Sequence, residues 1–191
     1  MLILIIGLVV FIGTHLLSTQ RQARARLIGQ WGEGGYKGLY SASSLCGLVL
    51  IVWGFSVYRA GGLIPLWTPP VWTRHLALGL MWFAFVALAA SGPAPGKIRG
   101  WLRHPMLVGV KIWALAHLLA NGDLGGLLLF GSLLAFAVFD RISVKRRGDM
   151  GANASAAFTR GDAMALGFGT LAYVAMLFLH PYLIGVAVIG R

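Results

Sequence analysis

Five histidines, His15, His75, His104, His117 and His180, are spread through a chain otherwise dominated by apolar side chains. An imidazole needs hydrogen-bond partners in hydrocarbon, so a histidine within an apolar run either braces neighbouring helices or holds a ligand. Neutral imidazole is a common ligand of haem iron, and the facing helices of a bundle can supply one each. His15 and His117 sit well within apolar sequence and are the candidates for that chemistry. His75, His104 and His180 lie near the ends of apolar runs, where hydration or interhelical bonds suffice. Zinc is a poor match, because the chain has one cysteine, Cys46, and five acids, none of them deep within a run.

The stretch from Arg103 to Asp123 concentrates these residues. Pro105 is suited to a first helical turn, and Asn121-Gly122 to a helix end. At four-residue steps, Gly109, Trp113, His117 and Asn121 fall close to one side of the helix between them. That side offers a gap, a ring, an imidazole and an amide, so Gly109 and Trp113 would shape a pocket beside His117. His104 falls on a different side. With Arg103 it stands at a helix start, where the helix dipole and two basic groups could hold an anionic head group or phosphate. Asn121 and Asp123 read as cap and turn residues.

The elements that must carry these residues follow from composition. The chain has 191 residues, 58% of them hydrophobic and 11% charged, where a soluble domain carries about a quarter charged. Repeated apolar segments near twenty residues long predict an all-α, polytopic transmembrane bundle forming one domain over 1–191. No segment alternates with period two, which excludes a β-barrel. About six spans are expected: Leu2 to Ser18, Gly38 to Tyr58, Val71 to Ala90, Pro105 to Asn121, Leu124 to Phe139, and Ala163 to His180. Arg21 to Gly35 and Ser91 to Gly100 read as loops. Pro181 should kink or end the last span, and Tyr182 to Gly190 is short for another crossing. The first segment lacks a basic region before its apolar core and reads as a retained span. Cys46, in an apolar run, has no partner for an internal disulfide and reads as a packed thiol.

The net charge of +11 would suggest nucleic acid in a soluble protein. Here the basic residues lie in short loops between spans, so the partner they imply is the lipid bilayer and not nucleic acid. Twelve Lys and Arg fall in the loops after spans one, three and five. The opposite side holds only Arg59, Arg74 and Arg191, and Lys111, inside span four, snorkels to the basic side. The imbalance places both termini away from the cytoplasm. In that topology His117 lies roughly 18 Å along its helix from the cytoplasmic end, and His15 only roughly 8 Å from that end. A pair of axial ligands needs nearly equal depth. On depth alone His75 or His180 suits His117 and His104 suits His15, unless the first helix continues through Gln20 to Arg26.

The pattern Arg103-His104-Pro105-Met106-Leu107, Gly109, Trp113-Ala114, Ala116-His117-Leu118 and Ala120-Asn121-Gly122-Asp123, followed by Leu127 to Gly131, closely resembles the NnrU family of bacterial membrane proteins. The likeness extends from Thr14-His15 to His180-Pro181. It implies an inner-membrane protein associated with denitrification, since members are linked to making or activating nitrite and nitric oxide reductases. The family is similar in turn to the 15-cis-zeta-carotene isomerases, membrane haem proteins with two histidine ligands that isomerise a carotenoid double bond. Their Arg-His-Pro and Trp-x-x-x-His pattern matches His104, Trp113 and His117, and their first-span histidine matches His15. The resemblance therefore implies haem b held by His15 and His117, with a redox role or isomerisation of an apolar small molecule. It equally allows a non-catalytic factor that helps membrane reductases to assemble. The isoprenylcysteine-type methyltransferases also carry Arg-His-Pro, but add a paired-acid motif toward the C-terminus. Only Asp162 follows Asp149 here, so the methyl-donor site is missing.

Overall fold

Apolar runs bounded by proline, glycine and asparagine become helices, and little else is present. The structure, a computed structural model, describes residues 1–92, 94–153, 155 and 157–189. In chain order the helices are α1 (Leu2–Thr19), α2 (Arg21–Ala60), α3 (Val71–Ala89), α4 (Lys97–Leu102), α5 (Pro105–Ala120), α6 (Leu124–Arg146) and α7 (Arg160–Ile184). Among the described residues there is no strand; Pro65 and Asp123 form a single antiparallel bridge. Five helices, α1, α2, α3, α6 and α7, are long and apolar enough to cross a membrane. Large side chains such as Val9, Leu45, Phe168, Leu171 and Phe178 point outward from them, as lipid-facing residues must. These apolar helices mark a multi-pass membrane protein associated with the bilayer. Arg191, counted in the charge comparison above, and Gly190 lie outside the described residues.

The chain divides into two compact units, Met1–Thr68 with Gly122–Phe136, and Pro69–Asn121 with Ala137–Arg191. The first is built on an antiparallel α1–α2 pair. Glycines make it possible: a Cβ on Gly47 would lie 2.7 Å from the Phe11 nitrogen, and one on Gly7 would lie 2.6 Å from the Ile51 nitrogen. A Cβ on Gly54 would run into the backbone of Leu4, which is fully buried. Close backbone approach through small residues is the ordinary way helices associate without a hydrophobic driving force.

The stretch from Arg21 to Gly35, expected as a loop, is helical and belongs to α2. The helix is interrupted only at Gly32 (φ 71°, ψ 168°), a conformation that glycine adopts without the steric cost of a side chain. Cys46 is exposed on α2 and not packed inside. The Ser44 hydroxyl oxygen is buried without a hydrogen-bond partner among the described residues. At one end of this unit the turn after α2 meets the start of α6. Leu66 and Trp67 donate to the Gly122 carbonyl at 2.7 and 3.0 Å, and Leu124 donates to Ile64 at 2.9 Å. Asp123, nearly buried, accepts from the Gly126 N–H at 2.9 Å and so caps the first turn of α6.

In the second unit α3 packs against both α5 and α7. Its small residues Ala77, Ala84 and Ala87 are buried. Gly109 of α5 fits beside Ala84 and Leu88, and Gly169 of α7 sits over the Val86 backbone. Trp82 Nε1 donates to Thr170 Oγ1 at 3.0 Å, adding a polar link from α3 to α7. Pro105 stands at the start of α5, as its chemistry requires. Pro181 neither ends α7 nor lies outside it: the helix runs to Ile184 and closes at Gly185. The turn-rich Ser91 to Gly100 stretch contains the start of the short helix α4.

Candidate functional site

Each of the two histidines nominated from the sequence is oriented by its own helix. His15, one turn from the end of α1, places Nδ1 2.8 Å from the Phe11 carbonyl. Its ring is surrounded by Phe11, Tyr40 and Phe136, with centroids 4.3, 5.5 and 5.7 Å away. Ser18 Oγ closes the turn by donating to the His15 carbonyl at 2.7 Å. In the second unit His117 repeats the arrangement: Nδ1 lies 2.8 Å from the Trp113 carbonyl, and the two rings are 5.0 Å apart. Asn121 secures the end of α5, with its backbone N–H and its Nδ2 both donating to the His117 carbonyl at 2.9 and 2.8 Å.

A carbonyl can only accept, so in both cases the proton sits on Nδ1 and the lone pair on Nε2. This is the tautomer and orientation that metal-binding histidines receive from a backbone partner. An imidazole held this way has the donor chemistry of an iron ligand. His180 Nδ1 lies 2.8 Å from the Val186 carbonyl. His75, in the second turn of α3, is exposed. Gly109 contributes to helix contact: the space beside it is taken by Leu88 and Ala84. No cluster of three or more His, Cys, Asp or Glu side chains that could hold a bare metal ion exists among the described residues.

Arg103 and His104, the second pair nominated from the sequence, meet the 149–152 segment. Arg103 is the one described non-glycine residue with positive φ, at 58°, a conformation that costs about 1–3 kcal/mol and persists only when its surroundings hold it. The 149–152 segment holds it. Ala152 donates to the Arg103 carbonyl at 2.9 Å, and Arg103 Nη1 donates to the Met150 carbonyl at 3.3 Å. His104 Nε2 lies 3.3 Å from the Asp149 carbonyl and 4.0 Å from its Oδ1. Gly151 passes so close that a Cβ would meet the Arg103 carbonyl and His104 Nε2, and its φ of 71° also favours glycine. Beside this knot is an open basin of about 590 Å³, lined by Ser91, Arg99, Arg103, His104, Asp140 and the first residues of α5, with Val144, Gly151 and Ala152.

Sequence reasoning missed Asp162, read only as a lone acid. It is 1% exposed and joins the start of α7 to the start of α4. The signal was there in Thr159-x-x-Asp162, a capping-box spacing, and the structure contains that box. The tie from Arg103 to Gly151 had no local signal, since 48 positions separate the two residues.

The sequence profile described as "NnrU protein" matches residues 3–188, nearly the whole chain. No curated protein and no solved structure matches it significantly. With a match spanning both helical units and carrying the Arg103 to Asp123 stretch, the chain belongs to the NnrU family.

Proposed function

We propose that this NnrU-family protein spans the bacterial inner membrane six times, with both termini away from the cytoplasm, and binds haem b through intramembrane histidines. His117 and His15 are the proposed ligands. The observation that carries the reading is the shared hydrogen bond from Nδ1 to the carbonyl four residues earlier, which orients each imidazole on its own helix as a backbone partner orients a metal-binding histidine. Trp113 packs against the His117 ring and fixes its tilt, while Phe11, Tyr40 and Phe136 do the same for His15. Bound haem would supply a one-electron redox centre able to respond to nitric oxide or to assist isomerisation of an apolar polyene. A denitrification role is part of the same proposal.

The six-span topology is supported by the second unit, where the basic segments after α3 and after α6 meet around Arg103 and Asp149, as two loops on one side of a bilayer would. α5 supplies the sixth span, although at 16 residues it is the shortest.

A second reading is a non-catalytic factor assisting assembly of membrane reductases. The same imidazole–carbonyl bonds favour it, because they also satisfy a histidine that only braces its helix. An absorption spectrum of the purified protein, oxidised and reduced, separates the two. A Soret band lost in His117→Ala is expected for the haem protein. A colourless preparation from haem-sufficient cells would sink that reading and leave the assembly role.

A further inference from the structure

The basin beside Arg103 is built from charge that the helix packing does not consume. Arg99 uses Nη1 alone, donating to the Gly92 and Ala94 carbonyls. Arg103 likewise uses Nη1 alone, toward Met150. A guanidinium has five N–H donors in a planar fork, so among the described residues both keep Nε and Nη2 unassigned at the wall of the same cavity. Asp140 is the only carboxylate in the lining, and it is already 3.9 Å from Arg147. The second acid nearby, Asp149, faces His104 at 4.0 Å. The remaining wall includes Pro105, Met106 and Leu107 at the start of α5, the positive end of that helix's dipole.

We propose that this basin binds a phosphate-bearing anion, with the phosphate between Arg99, Arg103 and the first turn of α5. Two guanidinium forks match tetrahedral phosphate oxygens better than they match a simple halide or a single carboxylate. The cavity, about 590 Å³, has the size of an ordinary small-ligand site. Its other walls, Pro105, Met106, Leu107 and Val144, are apolar, which suits the organic part of a phosphate ester. His104, held by the 149–151 segment, lines the site without depending on the ligand for a partner. Two sources carry this chemistry, an anionic phospholipid head group and a soluble phosphate. The site is independent of haem, and its test needs no coloured protein.

The experiment follows the melting temperature of the full chain in a non-ionic detergent against three probes: inorganic phosphate, phosphatidylglycerol and diacylglycerol. Saturable stabilisation by phosphatidylglycerol or by phosphate, and none by diacylglycerol, is expected. Stabilisation by the lipid alone identifies a head-group site; stabilisation by phosphate as well identifies a site for the phosphate itself. Arg103→Gln should raise the half-saturating concentration about tenfold, the scale of one charge-assisted hydrogen bond. Because Arg103 also secures its turn, Ala152→Phe serves as a second variant, filling the basin while leaving every charge. It should weaken binding by a similar factor. Equal stabilisation by diacylglycerol, no saturable effect of either phosphate probe, or wild-type binding by Ala152→Phe would overturn the proposal.

Discussion

The carboxylate of Asp162 accepts the backbone N–H of Ile98 at 2.7 Å and that of Lys97 at 2.9 Å, so the first turn of α7 closes the N-terminus of α4. The same group takes the Thr159 N–H at 2.8 Å and its hydroxyl at 3.2 Å. Hydrogen bonds to a charged group contribute about 1.5–3 kcal/mol each, and a buried donor left alone is costly. Asp162→Ala should therefore destabilise the protein by about 3 kcal/mol or more, and Asp162→Asn by less, because one acceptor oxygen remains. Thermal unfolding in detergent reads both; wild-type melting of the alanine variant would show that α4 does not need this cap.

The α1–α2 pair makes a contrast between glycines that matter and glycines that do not. Gly47→Ala puts a methyl 2.7 Å from the Phe11 nitrogen and forces the helices apart, at a cost of about 1–3 kcal/mol. Gly38, in the same helix, has open space where its Cβ would go, so Gly38→Ala should be neutral or stabilising by up to about 1 kcal/mol. Parallel melting curves distinguish these outcomes, and equal effects at both positions would contradict the close pairing.

Single histidine variants identify the ligands of any bound haem. His117→Ala and His15→Ala should each lose or shift the Soret band, whereas His180→Ala should leave it in place. A spectrum lost in His180→Ala and kept in His15→Ala would assign the second ligand to α7.

Topology has its own test. A reporter active only in the cytoplasm, fused after Arg191, should remain silent. A strong signal there would reverse the orientation inferred from the basic loops.

Much of the helical layout was legible because it is local. Pro105 starts α5, Asn121-Gly122-Asp123 turns it into α6, and long apolar runs stand where helices stand. The Arg21 to Gly35 stretch misled because four glycines and three arginines look like a loop, while in the structure only Gly32 leaves the helical conformation. Gly109 illustrates a different limit. Its place on the His117 side of the helix was readable, but which neighbour fills the gap depends on the packing of α3, about which spacing along α5 says nothing. The basin was half legible: Arg103 and His104 announced it, and Arg99, Asp140 and Ala152 joined them only through tertiary contacts.

The shortness of α5 bears on the lipid around it. Sixteen residues reach about 24 Å, against a hydrocarbon slab of about 30 Å. If α5 is the sixth span proposed above, either the polar caps at Arg103 and Asn121 are drawn inward or the two leaflets dimple toward each other at this helix. Thinner bilayers should then accommodate the protein with less deformation, and its distribution among membranes should favour them.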